Sequence, residues 1–286
     1  MKILKYFFQF IIIIIFFIFF KIFGYKYSSD FSGILFKKVG KFFRSKKTIE
    51  KNLSNISFKY DKKLKVIIDT IWENYGRIFS DYIFLKDFRN GKLQKYIDIK
   101  GLNIIKKIKK NRKPVIFVSG HFNNFELMAM VIEKNGIDLS AVYRPLNNIF
   151  LNKIMEKIRK DYICRNQIPK GKIGTRKLLK AFKNGSSVAI MIDQRVSEGS
   201  KIPFFKKEAL TTTIPAQLIK RFNCEVVPVH VERNNDYNFT ISFFKPLRFN
   251  TNDKLEEITL RLNKWLEKMI LKNPTQWIWT HNRWKL

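Results

Sequence analysis

The 286-residue sequence holds two cysteines, Cys164 and Cys224, and three histidines. Two thiols make neither a disulfide framework nor a cysteine-rich metal cluster; they suit a reducing compartment, with both side chains as packing residues. Glycine (12) and proline (8) are scarce beside 28 phenylalanines, and 45% of the residues are hydrophobic. A disordered chain is thereby excluded and a real core can be buried. Acidic residues are few, 23 against 56 lysines and arginines, for a formal net charge of +33. Such a field attracts nucleic acid, anionic lipid head groups or an acidic protein. The pairs Lys37-Lys38, Lys46-Lys47, Lys62-Lys63, Lys106-Lys107 and Lys109-Lys110 are scattered, as on solvated faces. No zinc-finger spacing or RNA-recognition signature accompanies them, so no nucleic-acid partner is expected. A Gly-x-Ser-x-Gly elbow, a Walker loop and a dinucleotide fingerprint are also missing.

What is present begins with an apolar run, Tyr6 to Phe23, interrupted by Gln9 and Lys21. With its edges it reaches the roughly 30 Å of hydrocarbon that a spanning helix must cross. Lys5 and Lys21 can snorkel, and Tyr6, Tyr25 and Tyr27 stand where interfacial aromatics belong. No small-residue cleavage site follows, which favours an uncleaved anchor over a signal peptide. Lys2 and Lys5 precede the run; Lys21, Lys26, Lys37, Lys38, Lys41 and Arg44 follow it. The positive-inside rule then predicts a single pass with the large C-terminal part in the cytoplasm. Residues 31–47 fit an interfacial amphipathic helix or, equally, a buried one. Residues 62–88 show helical periodicity. From residue 111 short apolar strands alternate with helices, which predicts an α/β/α sandwich around a mixed sheet. The expected organisation is an anchor over 1–27, a helical and partly interfacial segment over 28–110, and an α/β catalytic domain over 111–286.

Three strand ends carry polar groups, and strand ends are where active sites gather in open α/β sheets. In Ser119-Gly-His-Phe-Asn-Asn-Phe-Glu126 a strand delivers His121 into a loop before a helix. With Glu126 on the first helical turn, its carboxylate can orient the imidazole as a general base; a capping or core histidine is the plainer alternative. In Ala141-Val-Tyr-Arg-Pro-Leu-Asn147, Arg144 ends a strand and suits a phosphate or carboxylate. In Ala189-Ile-Met-Ile-Asp-Gln194, Asp193 either pairs with an arginine, orients a substrate or caps a turn. Thr212 or Thr213 can cap a helix with Pro215 in its first turn. The segment Asn273 to Lys285 holds three tryptophans with His281, Arg283 and Lys285. It either packs over a lipid site or tucks into the core.

In this order the blocks resemble the late acyltransferases of lipid A biosynthesis, the lauroyl/myristoyl acyltransferase family. That family shows an N-terminal anchor, Gly-His-Phe-x-Asn-x-Glu, Tyr-Arg-Pro-x-x-Asn, Asp-Gln, Pro-Phe-Phe and a terminal Pro-x-Gln-Trp-x-Trp-x-His-x-Arg-Trp-Lys. The resemblance implies a glycerolipid-acyltransferase-like fold at the inner membrane. It implies acyl carrier protein as donor and, as acceptor, a hydroxyl on an acyl chain of a Kdo-bearing lipid A precursor. His121 and Glu126 would be the catalytic pair and Asp193 the acid of the Asp-Gln block. Arg159 would be the further functional arginine, with Lys160 and Arg165 close by. Arg144, Asn147 and Gln194 would bind substrate, and no cofactor or metal is implied. Three glycines usual in the family are replaced here, by Asn123, Arg195 and Lys206.

Overall fold

A computed structural model describes residues 1–42, 46–56 and 64–285. Arg44, Lys62, Lys63 and the side chain of Lys46, all named above for their charge, lie outside the described residues, as does part of the 31–47 segment. The described chain opens with four helices: α1 (Lys2–Phe23), α2 (Tyr25–Val39), α3 (Lys46–Ser54) and α4 (Leu64–Arg89). Strand β1 (Ile97–Lys100) and helix α5 (Leu102–Asn111) follow, then β2 (Ile116–Ser119), α6 (Glu126–Lys134), β3 (Leu139–Tyr143) and α7 (Ile149–Ile158). One π-helical turn, Arg159–Ile163, leads to β4 (Asn166–Pro169), α8 (Lys172–Lys183) and β5 (Ser187–Met191). A hairpin of β6 (Ser200–Phe204) and β7 (Lys207–Thr211) precedes α9 (Ile214–Phe222). The chain closes with β8 (Val226–Asn234), β9 (Asn238–Phe243) and α10 (Leu255–Lys272).

Seven of these strands form one sheet in the order β1-β9-β8-β2-β5-β3-β4. Pairing is parallel except between β8 and β9, so the sheet is mixed, as expected. The central strands are apolar on both faces because helices cover both. Phe117, Ala189, Val227 and Val229 turn to one layer with Phe84 and Phe88 of α4 and Leu127 and Val131 of α6. Ile116, Val118, Val188 and Ile190 turn to the other with Leu178 of α8, Leu218 of α9 and Leu262 of α10. Strand β1 stands near the end of the segment expected to be helical and partly interfacial over 28–110. It is a half-buried edge strand held by pairing with β9, and its four residues carry no long apolar run to announce it.

Two close contacts fix the helical layer. Serines and glycines let α2 and α4 touch backbone to backbone: Ser32 Oγ donates to the Gly76 carbonyl at 2.7 Å, and a Cβ on Gly76 would lie 2.1 Å from Ser32 O. Below that, buried Asp81 of α4 pairs with buried Arg233 of β8, whose guanidinium also stacks on Phe239 at 4.4 Å. This pair reaches the loop after β2. Arg233 Nε donates to Asn123 Oδ1 at 3.0 Å, and Asn124 Nδ2 donates to Asp81 Oδ2 at 3.2 Å. Asn123 adopts φ 41°, a left-handed conformation that asparagine tolerates better than most residues, so it can stand where a glycine is usual. Lys206 likewise takes φ 64°, in a two-residue turn with Phe205 at φ 51° between β6 and β7.

Candidate active site

Strands β2 and β5 are neighbours, and their parallel register sets Ser119 against Met191. Two residues beyond each, His121 and Asp193 therefore emerge side by side at the carboxyl end of the sheet. His121 Nδ1 lies 2.7 Å from Asp193 Oδ1, and the His121 backbone N–H donates to Oδ2, also at 2.7 Å. Trp277 Nε1 completes the set, donating to Oδ2 at 2.8 Å. Gly120 permits this approach: a Cβ there would meet Asp193 Oδ2 at 3.2 Å and the Phe122 ring at 2.9 Å. Burial alone would raise the Asp193 pKa, but His121 and the three hydrogen bonds outweigh it and hold it below the usual carboxylate range. With the ionised acid on Nδ1, the proton sits there and the Nε2 lone pair is free. Nε2 has the Gln194 amide 3.5 Å away, and the ring rests edge-on against Phe125.

Glu126 does not orient His121. Its Oε1 accepts from Arg159 Nε at 2.9 Å and from the Tyr82 hydroxyl at 3.2 Å, and Arg159 Nη2 also lies 2.9 Å away. The expectation of a His121–Glu126 hydrogen bond is thus corrected: a carboxylate 72 positions away in sequence takes the imidazole, and the nearby one takes a guanidinium. Burial works against the Arg159 charge, yet Glu126 and Tyr82 more than compensate and raise its pKa, so the cation is permanent. The guanidinium stands 5.5 Å from the Tyr143 ring, and its Nη1 is buried without a hydrogen-bond partner among the described residues. Arg159 opens the π-helical turn after α7, a distortion frequent at functional sites.

Both pairs belong to one cavity of about 610 Å³, whose wall includes His121, Glu126, Arg159 and Gln194. Arg144 and Asn147 are exposed at its rim. Asp193 stands behind His121, fully buried and off the wall. A larger cavity, about 1030 Å³, opens at the other end of β2 and β8 beside Lys113 and Arg248, but gathers no histidine.

All of residues 1–286 match the family described as bacterial lipid A biosynthesis acyltransferase. The chain is similar to the Escherichia coli K12 lipid A biosynthesis palmitoleoyltransferase, 27% identical over 201 residues that cover 68% of this chain and 64% of that protein. It is similar to a Haemophilus influenzae lipid A biosynthesis acyltransferase, 27% identical over 205 residues, 68% and 63% of the two chains. To the Escherichia coli K12 lauroyltransferase it is 24% identical over 200 residues, again 68% and 63%. The chain belongs to the bacterial lipid A biosynthesis acyltransferase family. The matched stretch spans a little under two thirds of these relatives' length.

In this family member the C-terminal segment tucks its indoles into the core and also reaches the cavity. Trp277 and Trp279 are buried, while Ile278, Thr280 and His281 join the cavity wall. Gln276 clamps the neighbouring backbone, bonding both the N–H and the carbonyl of Arg233 and accepting from Asn123 N through its own carbonyl. Three contacts escaped sequence reasoning, although the tryptophans and His281 were named there. The first is Trp277 as a ligand of Asp193. The second is Tyr82 on Glu126, which lies in a helix whose pattern marked only periodicity. The third is His281: its Nε2 accepts from Arg195 N at 2.9 Å, which leaves the proton on Nδ1, and burial pushes its pKa down to about 4. The Trp-x-Trp-x-His spacing was the available signal, but nothing local tells which ring faces a cavity.

Proposed function

We propose that this chain transfers a fatty acyl group from acyl carrier protein to the hydroxyl of an acyl chain on a Kdo-bearing lipid A precursor. The observation that carries the reading is an imidazole whose Nδ1 is engaged by a buried acid while Nε2 opens to a cavity that also holds a fixed cation. Neutral His121 takes the acceptor hydroxyl's proton at Nε2 as the oxygen attacks the thioester carbon. Asp193 steadies the imidazolium that forms. The tetrahedral oxyanion needs a donor, and Arg159 Nη1 is unspent. The C–S bond then breaks, and the departing thiolate takes the proton from His121. Glu126 and Tyr82 hold Arg159 in place and act on the reaction through it. Family membership and the names of the relatives support the acceptor class. The +33 charge suits both an acidic carrier protein and a phosphorylated, carboxylated acceptor. Helix α1, apolar enough to cross a membrane, suits attachment to the inner membrane, and the flanking lysines favour a cytoplasmic catalytic part.

An assay with labelled acyl carrier protein and a tetra-acylated lipid A precursor tests this. Transfer is expected, with a loss of roughly 10²–10⁴-fold in His121→Ala. No transfer, together with an unchanged lipid A mass spectrum in a deletion strain, would point to another lipid acceptor, such as a lysophospholipid or glycolipid. Full function in His121→Ala would instead identify a non-catalytic basic membrane protein.

A further inference from the structure

Helix α1 has the length and hydropathy of a membrane span, yet it does not stand clear of the fold. It is docked at both ends. Near its C-terminal end Phe17 and Phe20 are buried in the core, their rings 5.5 and 5.7 Å from Phe79, and Lys21 pairs with Asp87 at 2.6 Å. Near its start Phe7 and Phe10 meet Phe150 of α7 at 5.7 and 5.9 Å. There Asn148, the N-cap of α7, donates through Nδ2 to the Tyr6 carbonyl at 2.8 Å. The opposite face is bare along its whole length: Leu4, Phe8, Ile11, Ile15, Ile18 and Ile22 are all exposed, spaced alternately four and three apart.

Tyr6 and Lys21 are about 22 Å apart along the helix axis at 1.5 Å per residue. If α1 stood along the membrane normal with Lys21 at one interface, Tyr6 would lie most of the way across the hydrocarbon. It would carry the start of α7 and the loop before it, including exposed Arg144, Asn147 and Lys153. Hydrocarbon does not tolerate such charged and irregular segments facing lipid. We propose that α1 is an in-plane helix, its bare stripe sunk into one leaflet and its packed face on the catalytic fold. Helix α2 continues the surface. Tyr27, Phe31 and Ile34 are 75%, 42% and 54% exposed, and the Phe31 ring lies 5.0 Å from Phe19. Lys26, Lys37 and Lys38 flank this stripe, where lipid phosphates would meet them. Exposed Leu146 and Ile149 extend the surface at the other end, and Leu146 lines the catalytic cavity. The occupant is thus a single leaflet, and the mouth of the cavity lies at its surface. An acyl-chain-bearing acceptor reaches His121 sideways from the lipid. This deepens the proposed function only in supposing work at a membrane.

Sidedness labelling decides it without reading the transfer reaction, so a wrong acceptor would leave the result untouched. In a chain with Cys164→Ala and Cys224→Ser, single cysteines are placed by Lys2→Cys in α1 and Lys110→Cys in α5. Each is exposed to a membrane-impermeant maleimide in spheroplasts and in inverted inner-membrane vesicles. The in-plane helix predicts that both label in the same preparation, inverted vesicles. Labelling of Lys2→Cys in spheroplasts and of Lys110→Cys in inverted vesicles means a spanning helix and overturns the proposal. If the cysteine variants do not fold, protease access to an epitope tag before Met1 of the otherwise unaltered chain discriminates in the same way.

Discussion

Asp193 with His121 and Glu126 with Arg159 are both carboxylates gripping a nitrogen group beside one cavity, and the proposed reaction asks opposite work of them. There the first pair holds a proton that moves, and the second a charge that does not. The difference lies in how each acid is itself held. Asp193 has two backbone-anchored or buried donors besides the imidazole, so it stays ionised and rigid. Glu126 spends one oxygen on three donors from Arg159 and Tyr82. The lesson concerns distance along the chain: the acid five positions from His121 belongs to another pair, and the acid that serves it arrives by strand register.

Asp193→Asn and Glu126→Gln separate the two pairs most widely. Asp193→Asn removes the carboxylate on Nδ1 and is expected to lower kcat about 10³–10⁴-fold with the fold intact by circular dichroism. Arg159→Lys should follow, losing about 10²–10³-fold in kcat as an oxyanion donor is removed. Glu126→Gln weakens a charge-assisted hydrogen bond and should cost about 1.5–3 kcal/mol, seen as a ten- to hundredfold fall in kcat/KM and a lower Tm. Were Glu126→Gln to abolish transfer while Asp193→Asn left it nearly whole, the roles assigned to the two acids would be exchanged.

A milder effect is expected of the two histidines outside the pair, neither of which titrates near neutrality. His230 and His281 are both pushed down to about 4, chiefly by burial. The unfolded chain binds protons on them below its ordinary pKa of about 6.5, and the folded chain does not until about pH 4. Stability from these groups is therefore present above 6.5 and falls as pH drops toward 4. Thermal melts should show this slope, and His230→Asn should flatten it while leaving the pH dependence of transfer unchanged. The smallest effect is expected far from either pair. Lys206→Gly places glycine in the left-handed turn between β6 and β7 and should raise stability by about 1 kcal/mol, measured by denaturant unfolding.

The layered α/β architecture was readable because the central strands, such as Ile116–Ser119 and Ser187–Met191, are short apolar runs ending in polar residues. That His121 and Asp193 end strands was equally legible. That those two strands are neighbours was not, since β3 and β4 intervene in sequence and register leaves no local mark. Strands β1, β4 and β6, with β7 that pairs with β6, were missed for a related reason. Ile-Asp-Ile-Lys, Asn-Gln-Ile-Pro and Ser-Lys-Ile-Pro-Phe are edge or hairpin segments whose order comes from their partners rather than their own composition. Arg159 could be placed on a helix but not against Glu126, because the π-helical turn that aims it has no sequence signature.

Trp277 has a consequence in time as well as in space. Helix α1 is synthesised before the catalytic fold and can seek a surface early, but Asp193 lacks its indole partner, and Asn123 its Gln276 contact, until residues 276 and 277 have been translated. In the proposed reaction, a chain translated only as far as α10 therefore carries an unfinished base, whatever surface α1 has already found.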